Sequence, residues 1–528
     1  MMRVAVTGIS GYLGQALLDA LEDDPRIEAV LGLDVRKPWR ITPKLTFVRH
    51  ELGEPGLAAL LREHGIRHLF HMAFPLTAPA SVPYAEQSAQ MQKGLRSILD
   101  ASLDVLVVAS SSVVFGARAE NAGTAIAEDA PRRPEPDLPY ANLKVLLEDG
   151  LNAHATQHPE CRIVILRVVT IFGPNVNNFI SRTMEKPVIT LPVGANPPWQ
   201  FVHEEDCARA FLTAMYRPVR GTYHIGADHP MRTREILRQI GVPVLRLPYA
   251  WLETIADAAW RRGYTRVSEN PGCVTAYLEH PPILDNHKFV RDAGFQYRYD
   301  CAATFRTFAE ARLRGLRWMW LLPLALVIGI LAAPVASAGK LLAVLLVTAL
   351  FYLPLTRGEW LRAAITFGVF FPMDLLSTRQ GAFGFLHPDF LGLPYYEPVL
   401  WPFLLLTLTR LAPQPPPRFD WLAVPLTVLF AVPFAVIRDP GSLLAAAGFV
   451  LAILLARFHT KADGTYLALM IAIGVVWEHV GVGSGQWRYP SEAAAVPLWS
   501  SVLWAGVGIL TYRLLLPLTE KPLSKAAS

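Results

Sequence analysis

Two side chains with complementary acid–base chemistry stand four residues apart in the segment YANLK, namely Tyr140 and Lys144. On a helix this spacing places both on one face, one turn apart. A phenol with an ordinary pKa of about 10 is a poor base at neutral pH, and an adjacent ammonium favours the phenolate. The preceding segment VLVVASSSVVFG supplies serine hydroxyls, among which Ser111 can hold a substrate oxygen. These residues predict proton transfer to or from a substrate hydroxyl or carbonyl.

A glycine-rich turn near the start of the chain predicts a dinucleotide site. RVAV is typical of a short strand, TGISGYLG follows, and QALLDALEDD places its leucines on one helical face. The glycines permit a tight turn, a close approach of the backbone to a pyrophosphate, and close helix–strand packing at a helix N-terminus. The loop residues predicted to contact the cofactor are Gly8, Ile9, Ser10, Gly11, Tyr12, Leu13 and Gly14.

The next predicted strand, AVLGLDV, ends at Asp34, 20 residues after Gly14. A carboxylate there accepts hydrogen bonds from the adenine ribose and repels a 2′-phosphate, which favours NAD over NADP. Arg36 and Lys37 follow closely, so NADP remains an alternative. A solvated turn residue is the other interpretation of Asp34.

Residues 1–310 resemble the extended short-chain dehydrogenase/reductases, the NAD-dependent epimerase/dehydratase group. The segments that carry the similarity are TGISGYLG, FHMAFP, SSSVVFG, YANLK, LRVVTIFGPN and WQFVHEEDCARAF. The resemblance implies that Tyr140 is the acid/base, Lys144 its partner and Ser111 the orienting donor, with hydride passing between substrate carbon and nicotinamide. It also places Ala73 beside the cofactor.

Three positions depart from the family pattern. Glu51 stands where the family has an adenine-side Asp and could still serve there, and Met91 replaces a usual Asn. Trp199 stands where an Arg commonly holds the pyrophosphate of a nucleotide sugar. An indole cannot pair with phosphate, so Trp199 favours an apolar substrate. The alternative is that Trp199 packs in the interior and phosphate binds elsewhere.

The second half of the chain has a different character. Charges become sparse from Trp318 onward, and eight apolar segments approach the length of about 20 residues that a bilayer needs, at about 318–337, 340–356, 361–377, 395–411, 420–437, 441–457, 465–482 and 495–516. The predicted fold class is an α/β Rossmann domain with a doubly wound parallel sheet (1–180) and a small substrate-binding part (181–312). This domain is fused to an all-α polytopic membrane bundle of about eight helices (313–528).

The net charge and the positions of the cysteines argue against two kinds of binding site, for nucleic acid and for metal. A net charge of +5 without a dense basic block argues against nucleic acid as a partner. The four cysteines are scattered and no ligand-spaced His/Cys cluster appears, so no metal is predicted.

Twelve of sixteen Lys and Arg residues that flank the apolar segments fall on the inner side if the N-terminal domain is cytoplasmic. The prediction is a multi-pass protein of a bacterial-type inner membrane with both ends cytoplasmic; a homodimer is left open.

The membrane half contains an internal repeat. DLLSTRQGAFGFLHPDFLGLPYYEPVLW and EHVGVGSGQWRYPSEAAAVPLWSSVLW share an acid, a glycine seven residues later and a closing VLW. Asp374, Glu397, Glu478 and His479 are the candidate functional residues, since ionisable groups in a membrane are costly; an interfacial location is the alternative. The repeat loosely resembles the integral-membrane lycopene cyclase and carotenoid hydratase group, whose acids act on isoprenoid double bonds. The second copy has Ser500 where Glu397 stands.

Three functions fit these features. The first is a membrane-bound NAD(P)-dependent oxidoreductase or epimerase acting on an alcohol or ketone of a lipid-like, isoprenoid or sterol-like substrate. The second is a nucleotide-sugar or lipid-linked sugar epimerase or dehydratase. The third is an NAD-sensing domain that regulates a membrane transporter or scaffold. Intact Ser111, Tyr140 and Lys144 argue against the third.

Overall fold

The computed structural model describes residues 1–74, 81–121, 123–353, 355–489 and 496–520. The chain divides into two compact units. The N-terminal unit comprises Met1–Ile240 and Arg246–Gly315, and the C-terminal unit comprises Gly241–Leu245 and Leu316–Ser528.

Short strands and helices alternate through the first part of the chain. The strands are β1 Met2–Thr7, β2 Ile27–Asp34, β3 Leu45–Arg49, β4 His68–His71, β5 Val105–Ser111, β6 Ala125–Ile126, β7 Arg162–Val168, β8 Thr170–Phe172, β9 Ile189–Pro192, β10 Pro198–Trp199, β11 Phe201–His203, β12 Gly221–Ile225, β13 Met231–Arg232, β14 Val244–Leu247 and β15 Ile283–Leu284. The helices are α1 Tyr12–Glu22, α2 Leu57–Glu63, α3 Tyr84–Leu99, α4 Pro139–Gln157, α5 Phe179–Met184, α6 Glu204–Tyr216, α7 Thr233–Ile240, α8 Tyr249–Arg261, α9 His287–Ala293 and α10 Cys301–Arg312.

Seven strands form one parallel sheet in the order β12-β7-β5-β4-β1-β2-β3. Alternate strand residues enter two separate cores, one on each face. Val4 and Val6 pack in the core that includes Leu17 of α1, whereas Ala5 packs in the core that includes Leu147 of α4. Helices therefore cover both faces, as in a doubly wound sheet, and the carboxyl ends of β1, β2, β4 and β5 meet at one edge.

The C-terminal unit is mainly helical. Its elements are α11 Leu321–Ala332, α12 Ser337–Tyr352, α13 Arg357–Arg379, β16 Gly384–Phe385, α14 Glu397–Leu411, α15 Ala423–Val436, α16 Pro440–Arg457, α17 Lys461–Gly483, β17 Trp487–Arg488, α18 Leu498–Leu510 and α19 Leu516–Thr519. Each of the eight predicted apolar segments contains a helix. Only four helical stretches in the described ranges are long and apolar enough to cross a membrane by themselves: Arg357–Arg379, Pro440–Arg457, Lys461–Gly483 and Leu498–Thr519. The expectation of about eight spans is therefore reduced, because α11, α12, α14 and α15 are shorter than a bilayer requires.

The repeat predicted from the sequence extends over two helix pairs, α13 with α14 and α17 with α18. Each first helix opens with a capping box, at Thr356 and Glu359 in one copy and at Thr460 and Asp463 in the other. In each copy the capping acid also pairs with an arginine nine residues after the tryptophan of VLW, Glu359 with Arg410 and Asp463 with Arg513. The two copies meet at β16 and β17, which pair antiparallel.

Candidate active site

The end of β5 is bonded to one face of α4. The Lys144 Nζ donates to the Ala109 carbonyl at 2.7 Å, and the Tyr140 hydroxyl is hydrogen-bonded to the side chain of Ser111. Both helical residues lie on the same face because they are four apart. The structure therefore brings Ser111, Tyr140 and Lys144 together at the carboxyl end of a central strand.

The first serine of the triplet, Ser110, has a different partner. Ser110 Oγ donates to Glu148 Oε1 at 2.5 Å, and Glu148 is fully buried. Arg167 donates to the same carboxylate at 2.8 and 3.0 Å, and Arg132 contacts it at 3.2 Å. Ser110 is thus held by a buried ion-pair network, and Ser111 is the serine left to face Tyr140. Glu148 was not among the predicted residues; its position four after Lys144, on the same helical face, is the signal in the sequence.

Burial dominates the ionisation of the pair. It raises the pKa of Tyr140 to about 12, although the hydrogen bond from Ser111 opposes this. It lowers the pKa of Lys144 to about 7, although the negative charge of Glu148 opposes this. The Lys144 ammonium lies 3.7 Å from the centroid of the Phe74 ring and 5.7 Å from that of Tyr140. Burial and Ser111, rather than Lys144, account for the Tyr140 pKa here, so the lowering of that pKa by Lys144 stays a prediction.

The glycine loop is packed as tightly as its sequence predicts. Gly8 adopts φ +76°, and a Cβ there would lie 2.6 Å from the Ala73 nitrogen. A Cβ on Gly14 would collide with the Gly8 carbonyl oxygen and the Ile9 backbone. The Ala73 nitrogen also contacts Thr7 Oγ1 at 3.4 Å. The loop, β1 and the turn after β4 thus form one close-packed edge.

Helix α1 begins at this edge with its amide groups unsatisfied. Gly11 is the residue before the helix, no side chain caps it, and the first turn carries no acidic residue. Leu13 is half-buried within that turn. Free N–H donors and the positive end of the helix dipole suit an anion such as a pyrophosphate. The loop residues therefore fit the phosphates of a dinucleotide.

Asp34 lies at the end of β2 beside the loop. Its carboxylate accepts hydrogen bonds from the backbone nitrogens of Ser10 at 3.0 Å and Arg36 at 3.1 Å. Ser10 Oγ in turn donates to the Arg36 carbonyl at 2.5 Å. Backbone donors thus orient the carboxylate next to the predicted phosphate-binding turn. Glu51 is exposed after β3 and accepts from Gln90 Nε2 at 2.6 Å.

Two further side chains join the loop to the rest of the site. His71, at the end of β4, is hydrogen-bonded to Thr7 Oγ1 at 2.8 Å, and burial lowers the pKa of His71 to about 3. His71 is therefore neutral at physiological pH. The Tyr12 hydroxyl is hydrogen-bonded to Asn178, and burial raises the pKa of Tyr12.

Comparison with known proteins assigns this arrangement to a family. Residues 4–226 match the NAD dependent epimerase/dehydratase family. The N-terminal part of the chain is an epimerase/dehydratase domain. The sequence-based family prediction is thereby confirmed for this part, and the domain belongs to a family of NAD-dependent enzymes.

Several relatives resemble the epimerase/dehydratase domain. An uncharacterized protein of Mycobacterium tuberculosis is 24% identical over 319 residues, which cover 58% of this chain and 84% of the relative. A UDP-glucose 4-epimerase of Azospirillum brasilense is 32% identical over 179 residues, which cover 32% of this chain and 49% of the relative. The structure of Thermus thermophilus UDP-glucose 4-epimerase in complex with NAD is 22% identical, with a TM-score of 0.47, and the match covers 60% of this chain and 99% of that one. The match to the lycopene cyclase group stays a prediction, since the matching family region ends at residue 226.

Trp199 lies in the interior of the epimerase/dehydratase domain. It is 5% exposed, and its Nε1 donates to Thr233 Oγ1 at 3.3 Å. Its ring stacks on Phe201. The indole is therefore a packing residue, and its presence gives no support to an apolar substrate.

The predicted acids of the C-terminal unit are buried at the ends of their helices. Asp374, Glu397 and Glu478 are 6%, 4% and 7% exposed. The carboxyl groups of Asp374 and Glu397 are hydrogen-bonded to each other, and Glu478 is close enough to Asp374 to interact electrostatically. His479 does not join them; it is exposed, and its Nδ1 bonds to the Val475 carbonyl one turn back at 2.7 Å. In the described ranges, no group of three or more His, Cys, Asp and Glu residues could hold a metal ion.

Proposed function

We propose that the chain is an NAD-dependent epimerase or dehydratase whose substrate is a sugar carried on a nucleotide or on a lipid. The observation that carries the proposal is the bonding of Tyr140 and Lys144 to the end of β5 beside the glycine loop. That edge of the sheet receives the predicted nicotinamide and the reacting carbon together. The relative named UDP-glucose 4-epimerase supports a sugar substrate.

Each residue of the site has a separate role in the proposed reaction. Ser111 holds the substrate oxygen, and Tyr140 moves the proton of that oxygen as its carbon is oxidised or reduced. Lys144 supplies positive charge to the phenolate and is kept in place by the Ala109 carbonyl. When bound, the nicotinamide accepts and returns the hydride and, in its oxidised form, adds a positive charge that favours the phenolate. Asp34 binds the adenine ribose, and the first turn of α1 binds the pyrophosphate.

A lipid-like alcohol is the second candidate substrate. The covalent link to a unit with four long apolar helices favours it, because such a link keeps the active site near the bilayer. Trp199 no longer argues for this candidate, since it is buried.

The test uses the full-length protein in detergent. We expect the purified protein to bind NAD, and UDP-glucose or UDP-glucuronate to be converted to an epimer or a dehydrated or decarboxylated product detected by mass spectrometry. Tyr140→Phe should retain NAD and lose turnover, because only the phenolic oxygen is removed. Turnover that appears only with a lipid extract would support the second candidate. Turnover by Tyr140→Phe at the wild-type rate would contradict both.

A further inference from the structure

The buried acids in the two copies of the repeat have different hydrogen-bond partners. In the second copy, Glu478 accepts three hydrogen bonds from aromatic donors. Trp487 Nε1 and Tyr489 Oη donate to Oε2 at 3.0 and 2.8 Å, and Trp504 Nε1 donates to Oε1 at 3.0 Å. An ionised carboxylate needs this kind of solvation when it is buried. The second copy therefore provides Glu478 with the hydrogen-bond donors that an ionised carboxylate needs.

The first copy keeps only one of these donors. Trp401 Nε1 donates to Asp374 Oδ2 at 2.8 Å, as Trp504 does to Glu478. The residues that correspond to Trp487 and Tyr489 by their distance from the acid are Phe383 and Phe385, which have no polar hydrogen. Two of the three donors are thus absent from the first copy, although the helices that carry the acids are equivalent.

A second acid takes the place of the lost donors. Glu397 stands where the second copy has Ser500, and its carboxyl is hydrogen-bonded to that of Asp374. Two ionised carboxylates cannot bond to each other, since neither has a hydrogen to donate. A hydrogen bond between them therefore requires that one of the two holds a proton. Among the described residues, the Ser500 hydroxyl bonds locally, from its Oγ to the Pro497 carbonyl at 2.8 Å.

One oxygen of the pair is reached by no donor of the described residues. Glu397 Oε2 is buried and has no hydrogen-bond partner within the described part of the chain, and the whole residue is 4% exposed. An unpartnered buried carboxyl oxygen costs stability and is rare in folded proteins. Because no donor from the described residues reaches this oxygen, a proton held by the pair itself is the hydrogen that can satisfy it.

We propose that Asp374 and Glu397 form a proton-binding site in the C-terminal unit, in which one proton is held between the two carboxyl groups. Glu478, which corresponds to Asp374 in the second copy, has a structural role instead. The site is separate from the NAD-dependent chemistry, and it gives the helical unit a titratable group of its own.

The charged and titratable neighbours of the pair are consistent with this assignment. Lys340 of α12 is buried, but its Nζ donates to the Leu331 carbonyl and to Gln486 Oε1, both at 2.7 Å. Tyr396 donates to the same Gln486 oxygen at 3.0 Å. In the described ranges no Lys or Arg ion pair with Asp374 or Glu397 is present, so the shared proton is what neutralises half of the pair's charge.

The test is labelling of the full-length protein in detergent with dicyclohexylcarbodiimide. This apolar reagent adds the O–H of a protonated carboxyl across a C=N bond, with the proton going to nitrogen, and the O-acylisourea rearranges to a stable N-acylurea without a leaving group. We expect peptide mass spectrometry to find the adduct on Asp374 or Glu397 and not on Glu478, which serves as a control within the same chain.

Two variants show whether a labelling difference comes from the shared proton or instead from unequal access of the reagent or from misfolding. Glu397→Gln keeps an N–H donor for Asp374 and removes the shared proton, so labelling of the pair should fall to background. Glu478→Gln should leave labelling of the pair unchanged. Infrared spectroscopy should show a protonated-carboxyl C=O band in the wild type that Glu397→Gln removes. Equal labelling of Glu478, or the absence of a band sensitive to Glu397, would overturn the proposal.

Discussion

The ammonium of Lys144 donates a 2.7 Å hydrogen bond to the backbone carbonyl of Ala109, two residues before the serine that bonds to Tyr140. This bond fixes the lysine on the strand and leaves its charge in a buried place, where the pKa falls to about 7. A cation that is costly to bury is characteristic of a functional site, where position matters more than stability.

Replacing this lysine by an apolar residue of similar length should stabilise the fold. Between pH 7 and the ordinary lysine pKa of 10.5, the unfolded chain holds the Lys144 proton and the folded chain has released it. Wild-type stability therefore rises with pH across that window. We expect Lys144→Met to unfold at a higher temperature than wild type, with the largest difference below pH 7 and a shrinking difference towards pH 10. Thermal unfolding in detergent at several pH values measures this.

Although Lys144→Met should be more stable than wild type, it should be inactive. The substitution removes the charge that supports the phenolate, so turnover should be lost. A stabilisation that is the same at pH 6 and pH 10 would show that Lys144 is not the titrating group.

The neighbouring serines should differ in effect. Ser111→Ala removes the hydroxyl bonded to Tyr140, and we expect kcat to fall by about 10²-fold or more with stability little changed. Ser110→Ala removes a buried hydrogen bond to Glu148, which should cost about 1–3 kcal/mol of stability and leave kcat within a few-fold of wild type. Steady-state kinetics and urea unfolding of the two variants decide the assignment; the reverse pattern would exchange the roles of the two serines.

Cofactor preference should depend on Asp34. Asp34→Asn keeps an oxygen that can accept from Ser10 and removes the charge that repels a 2′-phosphate. We expect the ratio of NAD to NADP affinity to fall by about tenfold or more, equivalent to about 1.4 kcal/mol. Glu28→Gln on the same strand is the control, because Glu28 is exposed and pairs with Arg3. Equal changes in the two variants would indicate a general charge effect.

The third glycine of the loop should tolerate no side chain. A Cβ on Gly14 would overlap the Gly8 carbonyl and the Ile9 backbone, so helix α1 would have to move away from β1. We expect Gly14→Ala to destabilise the fold by about 1–3 kcal/mol and to weaken NAD binding. Gly53→Ala is the control, since a Cβ there meets only the flexible Lys93 side chain at 3.5 Å. Similar losses of NAD affinity in both variants would contradict the packing argument.

Local patterns in the sequence predict most of the first unit. The spacing of Gly8, Gly11 and Gly14 predicts the strand–turn–helix that the structure contains, because those glycines act within one turn. The four-residue spacing of Tyr140 and Lys144 likewise places both on one face of α4. The catalytic and binding roles of these residues stay predictions.

Long-range relations are harder to predict. Nothing local shows that Arg167 on β7 reaches Glu148, or that the indole of Trp199 turns inward to Thr233. The pKa directions of Tyr140 and Lys144 also depend on how many atoms surround them, which spacing does not reveal. In the C-terminal unit, apolar composition predicts helices but overestimates their number of full-length spans, because composition does not show where each helix ends.

The two tryptophans that donate to Asp374 and Glu478, Trp401 and Trp504, also contact each other. The rings of Trp401 and Trp504 lie 4.9 Å apart with an interplanar angle of 26°. Two indoles at this distance couple their electronic transitions, so the pair should give an exciton signal in the far-ultraviolet circular dichroism spectrum, where the strong indole transition lies. Because each ring comes from a different copy of the duplication, that signal is a built-in optical reporter of whether the two halves of the helical unit are joined.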